Sequence, residues 1–577
     1  MRKRAPKYVH AVSWLFNRIF KGTPRMRIAC TLLLFAATTA LAQEPLAVNK
    51  PVDRQLASGS AQSFVIELKA ADYVAALLDQ HGKTDLTILA PDGSPVRHYP
   101  APAEDGKRLC VFIADTPGTY RIQLATPATQ PVSYKLTVTQ VTSLDERLKP
   151  KPWQDPNPSP RIDALRKQAA SGNADIPAFW KQVAAEGTPL VESIEKDPQH
   201  QLVTFLWRGT RETRNVFPNG SFKIGGRYPL DYVFHQVPLT DVWYLTVRLP
   251  TGARFTYGLS VNDPLVFTGF QPERYATTQV DPLNPNRWGC APDATRYDCQ
   301  SMAEIKGAVP QPWIVKNSNV AAGTIEKQKV HSALLNNDHD LSIYLPAGYK
   351  ANAIPYNLVV IFDESAYLTK IPTPVILDNL IAASKVPPTV AVLIANPTQE
   401  TRNQELPPNP QFADFLAKEL IPWIHAHYNV TADPQKTVVA GSSLGGLAAA
   451  YAGYKYPGLF TNVLCQSGSF WWAPDHSGAI PDGVVTEPGW MAKQFIASPK
   501  LPLRFYLDAG AFEFDSNGTG GGILETSRNM RDVLLAKGYE VHFQQFVGGH
   551  DYLSWRGTLA DGLIDLIGTT KEKAAGS

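Results

Sequence analysis

Charge is what this 577-residue chain has least of: 55 Lys and Arg stand against 52 Asp and Glu, a formal net charge of +3, and charged residues make up only 19% of the total. So even a balance gives no field for gripping nucleic acid or an anionic membrane surface. Long apolar runs are scarce too. After one stretch at residues 28–40 nothing comparable follows, so no stable membrane insertion is expected. Cysteine is rare, with five residues, too few for a disulfide-built scaffold. No internal repeat is visible, and no group of Cys and His at zinc-ligand spacing. What remains is an ample core, 44% hydrophobic, and a length that predicts three or four units at roughly 150 residues each. The expected partner is a small-molecule or polymer substrate, with no cofactor, no metal and no nucleic acid.

The one apolar run has the layout of an export signal. Met26-Arg27 supplies the basic start, residues 28–40 the apolar centre, and Ala40-Leu41-Ala42 the small-residue site that a signal peptidase accepts. The expected signal is therefore residues 26–42, Gln43 is the expected first residue of the mature chain, and the expected location is periplasmic or secreted. Residues 1–25, with Arg2, Lys3, Arg4 and Lys7, make an unusually long basic preface, and Met26 is read as the true start. With Cys30 removed, Cys110, Cys290, Cys299 and Cys465 remain for an oxidising compartment. Cys290 and Cys299 lie close together in a segment rich in Gly, Pro and Asp, which predicts a short disulfide-closed loop. Cys110 and Cys465 read as buried thiols near strands.

Along the chain the pattern changes twice. Residues 51–142 alternate as strands do, in Ser63-Phe64-Val65-Ile66-Glu67-Leu68 and Tyr134-Lys135-Leu136-Thr137-Val138, with turns such as Pro91-Asp92-Gly93 between them. That predicts a small β-sandwich. The segment Asp85-Leu86-Thr87-Ile88-Leu89-Ala90-Pro91-Asp92-Gly93, followed by Gly118-Thr119-Tyr120-Arg121-Ile122, resembles the bacterial pre-peptidase C-terminal type of accessory domain. Prolines at 150, 152, 156, 158 and 160 predict a stiff linker, placed at residues 148–178. A second β unit follows at residues 179–270, with strands at 202–208 and 242–249 and a turn at Pro218-Asn219-Gly220. From about Ala322 strands and helices alternate, and the apolar runs at 358–362 and 390–394 are of the kind that buried parallel strands require. The predicted fold is an α/β-hydrolase catalytic domain at residues 315–570, preceded by two all-β sandwich domains.

The chemistry sits in that last domain. Thr437-Val438-Val439-Ala440 reads as a strand, and Gly441-Ser442-Ser443-Leu444-Gly445-Gly446 turns directly into an Ala-rich helix. This is the nucleophile elbow, which exposes Ser443 at a tight turn ahead of a helix N-terminus. A serine hydroxyl is a weak nucleophile and needs a base. His550, after a predicted strand and two glycines in Gly548-Gly549-His550-Asp551, stands where the order Ser, acid, His places it. His425 and His427 lie two apart on a helix, face different ways and read as surface residues. For the acid, Asp508 falls inside a predicted strand, Glu513 is the first choice, Asp515 the second, and a Ser–His pair without a strong acid the third. The oxyanion hole is assigned by position to the backbone N–H of Leu444 and of Glu364. The glycine-rich residues 518–522 read as a loop, and Asp338-His339-Asp340 as a polar turn before a strand at 341–345.

Several segments together resemble the enterochelin (enterobactin) esterases. They are Cys465-Gln466-Ser467-Gly468-Ser469-Phe470-Trp471-Trp472 after the elbow helix, Gly548-Gly549-His550-Asp551 with Trp555-Arg556, and Arg402, Glu405-Leu406, Asn409 and Phe412 in mid-domain. Upstream, Thr240-Asp241-Val242-Trp243 and Asp281-Pro282-Leu283-Asn284-Pro285 resemble that family's immunoglobulin-like N-terminal domain and the connection beyond it. The resemblance implies a serine esterase that opens the trilactone backbone of catecholate siderophores such as enterobactin, free or ferric, for iron acquisition. It implies Ser443 and His550 as catalytic, Glu513 at an acidic position, and Arg402, Arg556, Trp471 and Trp472 at the substrate. Two features depart from the family: an export signal with an extra β domain, and Asp363-Glu364 where Asp-Gly is usual. These leave open an exported feruloyl or acetyl carbohydrate esterase, a related acyltransferase, or a binding protein with a dead site, the last opposed by the intact Ser443 and His550.

Overall fold

The computed structural model describes residues 44–569, apart from 100–105, 128, 144, 147–154, 223–228, 264, 266–271, 293, 295–298, 475–488 and 515–520. The expected signal at 26–42 and the candidate acid Asp515 lie outside the described residues. Two compact units divide the chain, at Trp153 and Gln154.

The first unit is built of strands. Glu44–Pro45, Ala61–Leu68, Gly118–Ala125, Asp85–Leu89 and Pro95–Tyr99 form one sheet in that order, and Val52–Leu56, Val132–Thr142, Tyr73–His81 and Gly106–Ile113 form another. Alternate residues of both sheets, among them Phe64, Ile66, Tyr120, Leu136 and Val138, meet in one apolar core. Cys110 is buried in that core as a free thiol. Alternation with a period of two is what lets each sheet bury one face.

In the second unit the first correction concerns the expected linker. Residues 160–170 and 176–186 are helices, Pro160–Ala170 and Ile176–Glu186. Their prolines fall in the first turn, where no N–H is needed, and Ser159 and Asp175 cap them through Ile162 N at 3.1 Å and Ala178 N at 2.9 Å. A β unit follows. Leu190–Ile194, Asp197–Arg208, Val242–Pro250 and His235–Gln236 make one sheet, and Val216–Gly220, Arg254–Val261, Gln300–Glu304 and Arg287–Trp288 a second, with Thr278–Gln279 beside Arg254–Val261. Two expectations change here. Pro218-Asn219-Gly220 is an edge strand rather than a turn, with Pro218 opposite Leu259, a position where a missing N–H is tolerated. The unit also runs past 270 to Glu304, because Gln300–Glu304 pairs with Arg254–Val261. Cys290 and Cys299 are disulfide-bonded with Cα atoms 4.3 Å apart, closing the hairpin whose strands pair Trp288 with Gln300.

The catalytic sheet has eight strands: Thr324–Ser332, Asn337–Leu345, Asn357–Phe362, Thr389–Ile394, Thr437–Ser442, Asn462–Gln466, Arg504–Gly510 and Glu540–Phe546. In the sheet the fourth lies between the second and third, and the rest follow in sequence. The first two strands are antiparallel to their neighbours; from the fourth onward all pairings are parallel. Asn357–Phe362 and Thr389–Ile394 are buried throughout, as strands covered on both faces must be. The helices Leu444–Lys455, Trp490–Ala497 and Ile523–Ala536 cover one face, through residues such as Leu447, Phe495 and Met530. Thr373–Ala382 and Tyr552–Ile567 cover the other, through Leu377 and Leu559. Asp338-His339-Asp340 belongs to the second strand, not to a turn: His339 is fully buried, its ring stacked on Phe415 and its Nδ1 2.9 Å from Ala395 O. No helix among the described residues is long and apolar enough to cross a membrane.

Candidate active site

Parallel strands direct their C-terminal ends to one edge of the sheet, and ligand sites collect there. Four of these ends build the site. The fifth strand, Thr437–Ser442, ends at Ser443, whose φ of 56° and ψ of −122° place it in a strained region at the start of the helix Leu444–Lys455. Glycine at 441 is required because a Cβ there would lie 2.6 Å from the backbone of Gly445. Strand and helix could not otherwise close so sharply. The Ser443 N–H is tied to Gln466 O at 2.9 Å, which fixes the elbow against the next strand.

His550 follows the last strand, Glu540–Phe546, and Glu513 follows Arg504–Gly510. His550 Nδ1 lies 2.5 Å from Glu513 Oε1. The Glu513 carboxylate is buried and also accepts from the Ser467 hydroxyl at 2.7 Å and from Gly510 N–H. The Oε1 that faces Nδ1 holds the imidazole in the tautomer that leaves Nε2 free to accept a proton. The imidazole stands edge-on to Trp555, with ring centroids 4.7 Å apart. The Ser443 hydroxyl itself lies 3.3 Å from that of Ser469.

The turn that carries Ser467 and Ser469 connects these groups and was not singled out residue by residue from the sequence. Ser467, at φ 46°, accepts from Trp555 Nε1 at 2.9 Å while donating to Glu513. Ser469 N–H donates to Ser443 O at 3.0 Å. The signal available in the sequence was only a Ser-Gly-Ser after a strand, which does not say what the hydroxyls face. Trp471 and Trp472 continue this turn, both partly buried, and Trp472 meets Trp490 edge-on at 5.6 Å.

Asp508, set aside as a strand residue, is inside Arg504–Gly510 and buried, with Oδ1 accepting from Ser467 N–H at 2.8 Å. Burial pushes its carboxyl up to about 8. In the unfolded chain it would titrate near 4, so between these values the folded protein holds a proton that the unfolded chain has lost. Its stabilising contribution is therefore complete below about pH 4 and declines as pH rises toward 8. Asp508→Asn, which mimics the protonated acid, is expected to lose roughly 5 °C less in Tm than the wild type between pH 5 and 9. Parallel Tm–pH curves for the two proteins would contradict it.

The oxyanion candidates occupy helix starts. Leu444 is the first residue of the elbow helix and Glu364 the first of Glu364–Thr369, positions whose N–H groups have no intrahelical acceptor. The Glu364 carboxylate turns to Ser342 and Lys327. Asp363, the residue before the helix, adopts the left-handed conformation at φ 62°, and Arg402 grips its carboxylate with Nε at 2.5 Å and an Nη at 2.8 Å. Asp363 is thus the partner of Arg402, while Glu405 binds Asn337 and Asn396.

Arg556 needs a correction as a substrate residue. On the helix Tyr552–Ile567 it lies one residue, about 100°, past Trp555, which faces the site. Its Nε donates to Gln311 at 2.7 Å, it approaches Glu304 at 3.4 Å, and it lies 4.8 Å from the Trp288 ring centroid. Those partners belong to the β unit and the segment after it. The arginine bonds the helix to them rather than facing Ser443. His425 and His427 bond to Thr431 O and Trp423 O.

Comparison with known proteins gives a consistent picture. The Esterase family model matches residues 332–566, and the family described as "Enterochelin esterase, N-terminal" matches residues 202–314. The iron(III) enterobactin esterase of Escherichia coli O6:H1 is 31% identical over 343 residues, covering 57% of this chain and 80% of that protein. The iron(III) salmochelin esterase of the same strain is 26% identical over 419 residues, 70% of this chain and 96% of that protein. The crystal structure of the Shigella flexneri enterobactin esterase in the presence of enterobactin matches at 26% identity and a TM-score of 0.52, covering 67% of this chain and 97% of that one. With an elbow serine, a histidine–glutamate pair and a preceding β unit that all lie within the matched regions, the chain belongs to the enterochelin esterase family of ester hydrolases.

Proposed function

We propose that this chain hydrolyses the ester backbone of catecholate siderophores, cyclic trilactones of the enterobactin type, in free or ferric form. The observation that carries the reading is the 2.5 Å Glu513–His550 pair beside the Ser443 elbow, in a chain that spans nearly all of a salmochelin esterase. Ser443 Oγ turns from Ser469 to His550 Nε2, loses its proton to it and attacks an ester carbonyl. The oxyanion is met by the N–H groups of Leu444 and Glu364. The imidazolium, held by Glu513, returns the proton to the leaving alkoxide. A water then repeats the cycle on the acyl-enzyme, freeing Ser443 and a carboxylate. Trp471 and Trp472 offer flat aromatic faces to catechol rings.

The wider layout is part of the same proposal. The two sheets of residues 44–142 around one core support a β-sandwich accessory domain, and the paired sheets of residues 190–304 support an immunoglobulin-like unit. Export to the periplasm or beyond rests on the sequence of residues 26–42 alone.

The test sets an enterobactin-type trilactone beside a feruloyl ester. The trilactone is expected to give a kcat/KM higher by about 100-fold or more, since a site built for the substrate's polar groups rejects analogues lacking them. A preference for the feruloyl ester, or transfer of the acyl group to an added sugar, would overturn the assignment.

A further inference from the structure

We propose that the β unit of residues 190–304 sets the spacing between acid and base in the active site, with Phe512, Thr256 and Asp551 as positioning residues. The proposal rests on Ser443, Glu513 and His550 being the catalytic group.

Both catalytic loops are fastened to that unit. Phe512, the residue before Glu513, is buried not in the catalytic sheet but in the core of the β unit, with Phe205, Phe255 and Tyr257. The backbone continues the tie: Phe512 N–H donates to Gly548 O at 2.9 Å, so the acid loop is bonded to the histidine loop. Val547 O in turn accepts from Arg254 N–H at 2.9 Å, and Arg254 and Gly548 form a parallel bridge. The last catalytic strand thus runs on into the edge of another sheet.

On either side of His550 the contact is close. A Cβ at Gly549 would lie 1.7 Å from Ser221 O, so the chain of the β unit closes on the loop at a distance only glycine allows. Asp551 is buried, and its Oδ2 accepts from Ser221 Oγ at 2.8 Å, Thr256 Oγ1 at 2.5 Å and Thr256 N at 3.2 Å. Its Oδ1 caps the C-terminal helix through Leu553 N at 2.9 Å. A buried carboxylate leaves such donors reluctantly, since each lost bond exposes a desolvated charge. His550 is therefore held from Gly549 and Asp551, and Glu513 from Phe512, all by one body. The short Glu513–His550 bond requires that both loops keep their places, and displacement of a catalytic group by about 1 Å costs on the order of 100-fold in rate.

The experiment measures kcat and KM on p-nitrophenyl acetate for Thr256→Val and Thr256→Ser, each in the wild-type and Glu513→Gln backgrounds, with thermal melts to verify folding. In the wild-type background Thr256→Val is expected to lower kcat by roughly 10- to 100-fold with KM changed less than about 3-fold, while Thr256→Ser restores most of the rate. In the Glu513→Gln background, where the acid no longer orients the imidazole, the same change is expected to cost less than about 2-fold. An equal loss in both backgrounds, or a wild-type kcat for folded Thr256→Val, would overturn the proposal. If Thr256→Val does not fold, Ser221→Ala is read by the same comparison. Ser443→Ala is run beside them: its inactivity together with an unimpaired Thr256→Val sinks only the positioning role, whereas its activity sinks the catalytic assignment beneath it.

Discussion

Ser443→Ala and His550→Ala are each expected to lower kcat for ester hydrolysis by about 10⁴- to 10⁶-fold, and the double variant to lose little more than either alone. The reason is that nucleophile and base act as one unit. Without the Ser443 hydroxyl no acyl-enzyme forms, and without His550 the hydroxyl stays protonated, because an unassisted serine is a weak nucleophile. What survives is the contribution of binding and of the oxyanion donors. The elbow is fixed by backbone bonds such as Ser443 N to Gln466 O, so the alanine variants are expected to fold normally. Steady-state kinetics on purified single and double variants test this. Additive losses would mean that the two residues act in separate steps.

Glu513→Gln is expected to lower kcat by about 10²- to 10⁴-fold, less than loss of the base but far more than loss of a surface carboxylate. The amide is close in shape and leaves the loop in place. It can present its N–H₂ to His550 Nδ1, which favours the tautomer with its proton on Nε2, where a base must be free. It can no longer accept Ser467, Gly510 and His550 with the strength of a charge, so the buried turn also loosens. Asp515→Asn, measured in parallel, is expected to retain most of the wild-type rate. The reverse outcome, a silent Glu513→Gln and a crippled Asp515→Asn, would transfer the acid's role to Asp515.

How far the sequence could lead depended on whether a feature was local. The elbow was legible because strand, glycines and helix start fall within ten residues, and His550 because its chain order is constrained. Glu513 could be only a first choice: the structure sets it 2.5 Å from His550, and no sequence pattern carries that distance. Ser467 escaped because its meaning lies in Trp555 and Glu513, remote in the chain. Of the linker expected at 148–178, the part from 160 onward failed on an ambiguity of proline, which breaks a helix interior yet opens a first turn, as Pro160 and Pro177 do here. The boundary at 270 came too early because Arg287–Trp288 and Gln300–Glu304 are short and separated by the disulfide loop. Arg556 was misassigned because a charge beside a catalytic motif says nothing about which way its helix face points.

The β unit and the catalytic domain meet at the histidine loop, where Arg254 bridges Gly548. Ser221 and Thr256 of the β unit bond Asp551, the residue after His550, while Glu513 and Trp555 of the catalytic domain meet the imidazole itself. A catalytic domain cut free of the β unit would leave Phe512 and Asp551 without their present neighbours.

The most direct measurement is peptide mapping after reaction with a fluorophosphonate, which bonds covalently to an activated serine whatever the natural ester. A single adduct is predicted on the peptide containing Ser443, absent in Ser443→Ala and formed much more slowly in His550→Ala. An adduct on Ser442 or Ser469 instead, or labelling that persists in Ser443→Ala, would contradict Ser443 as the nucleophile.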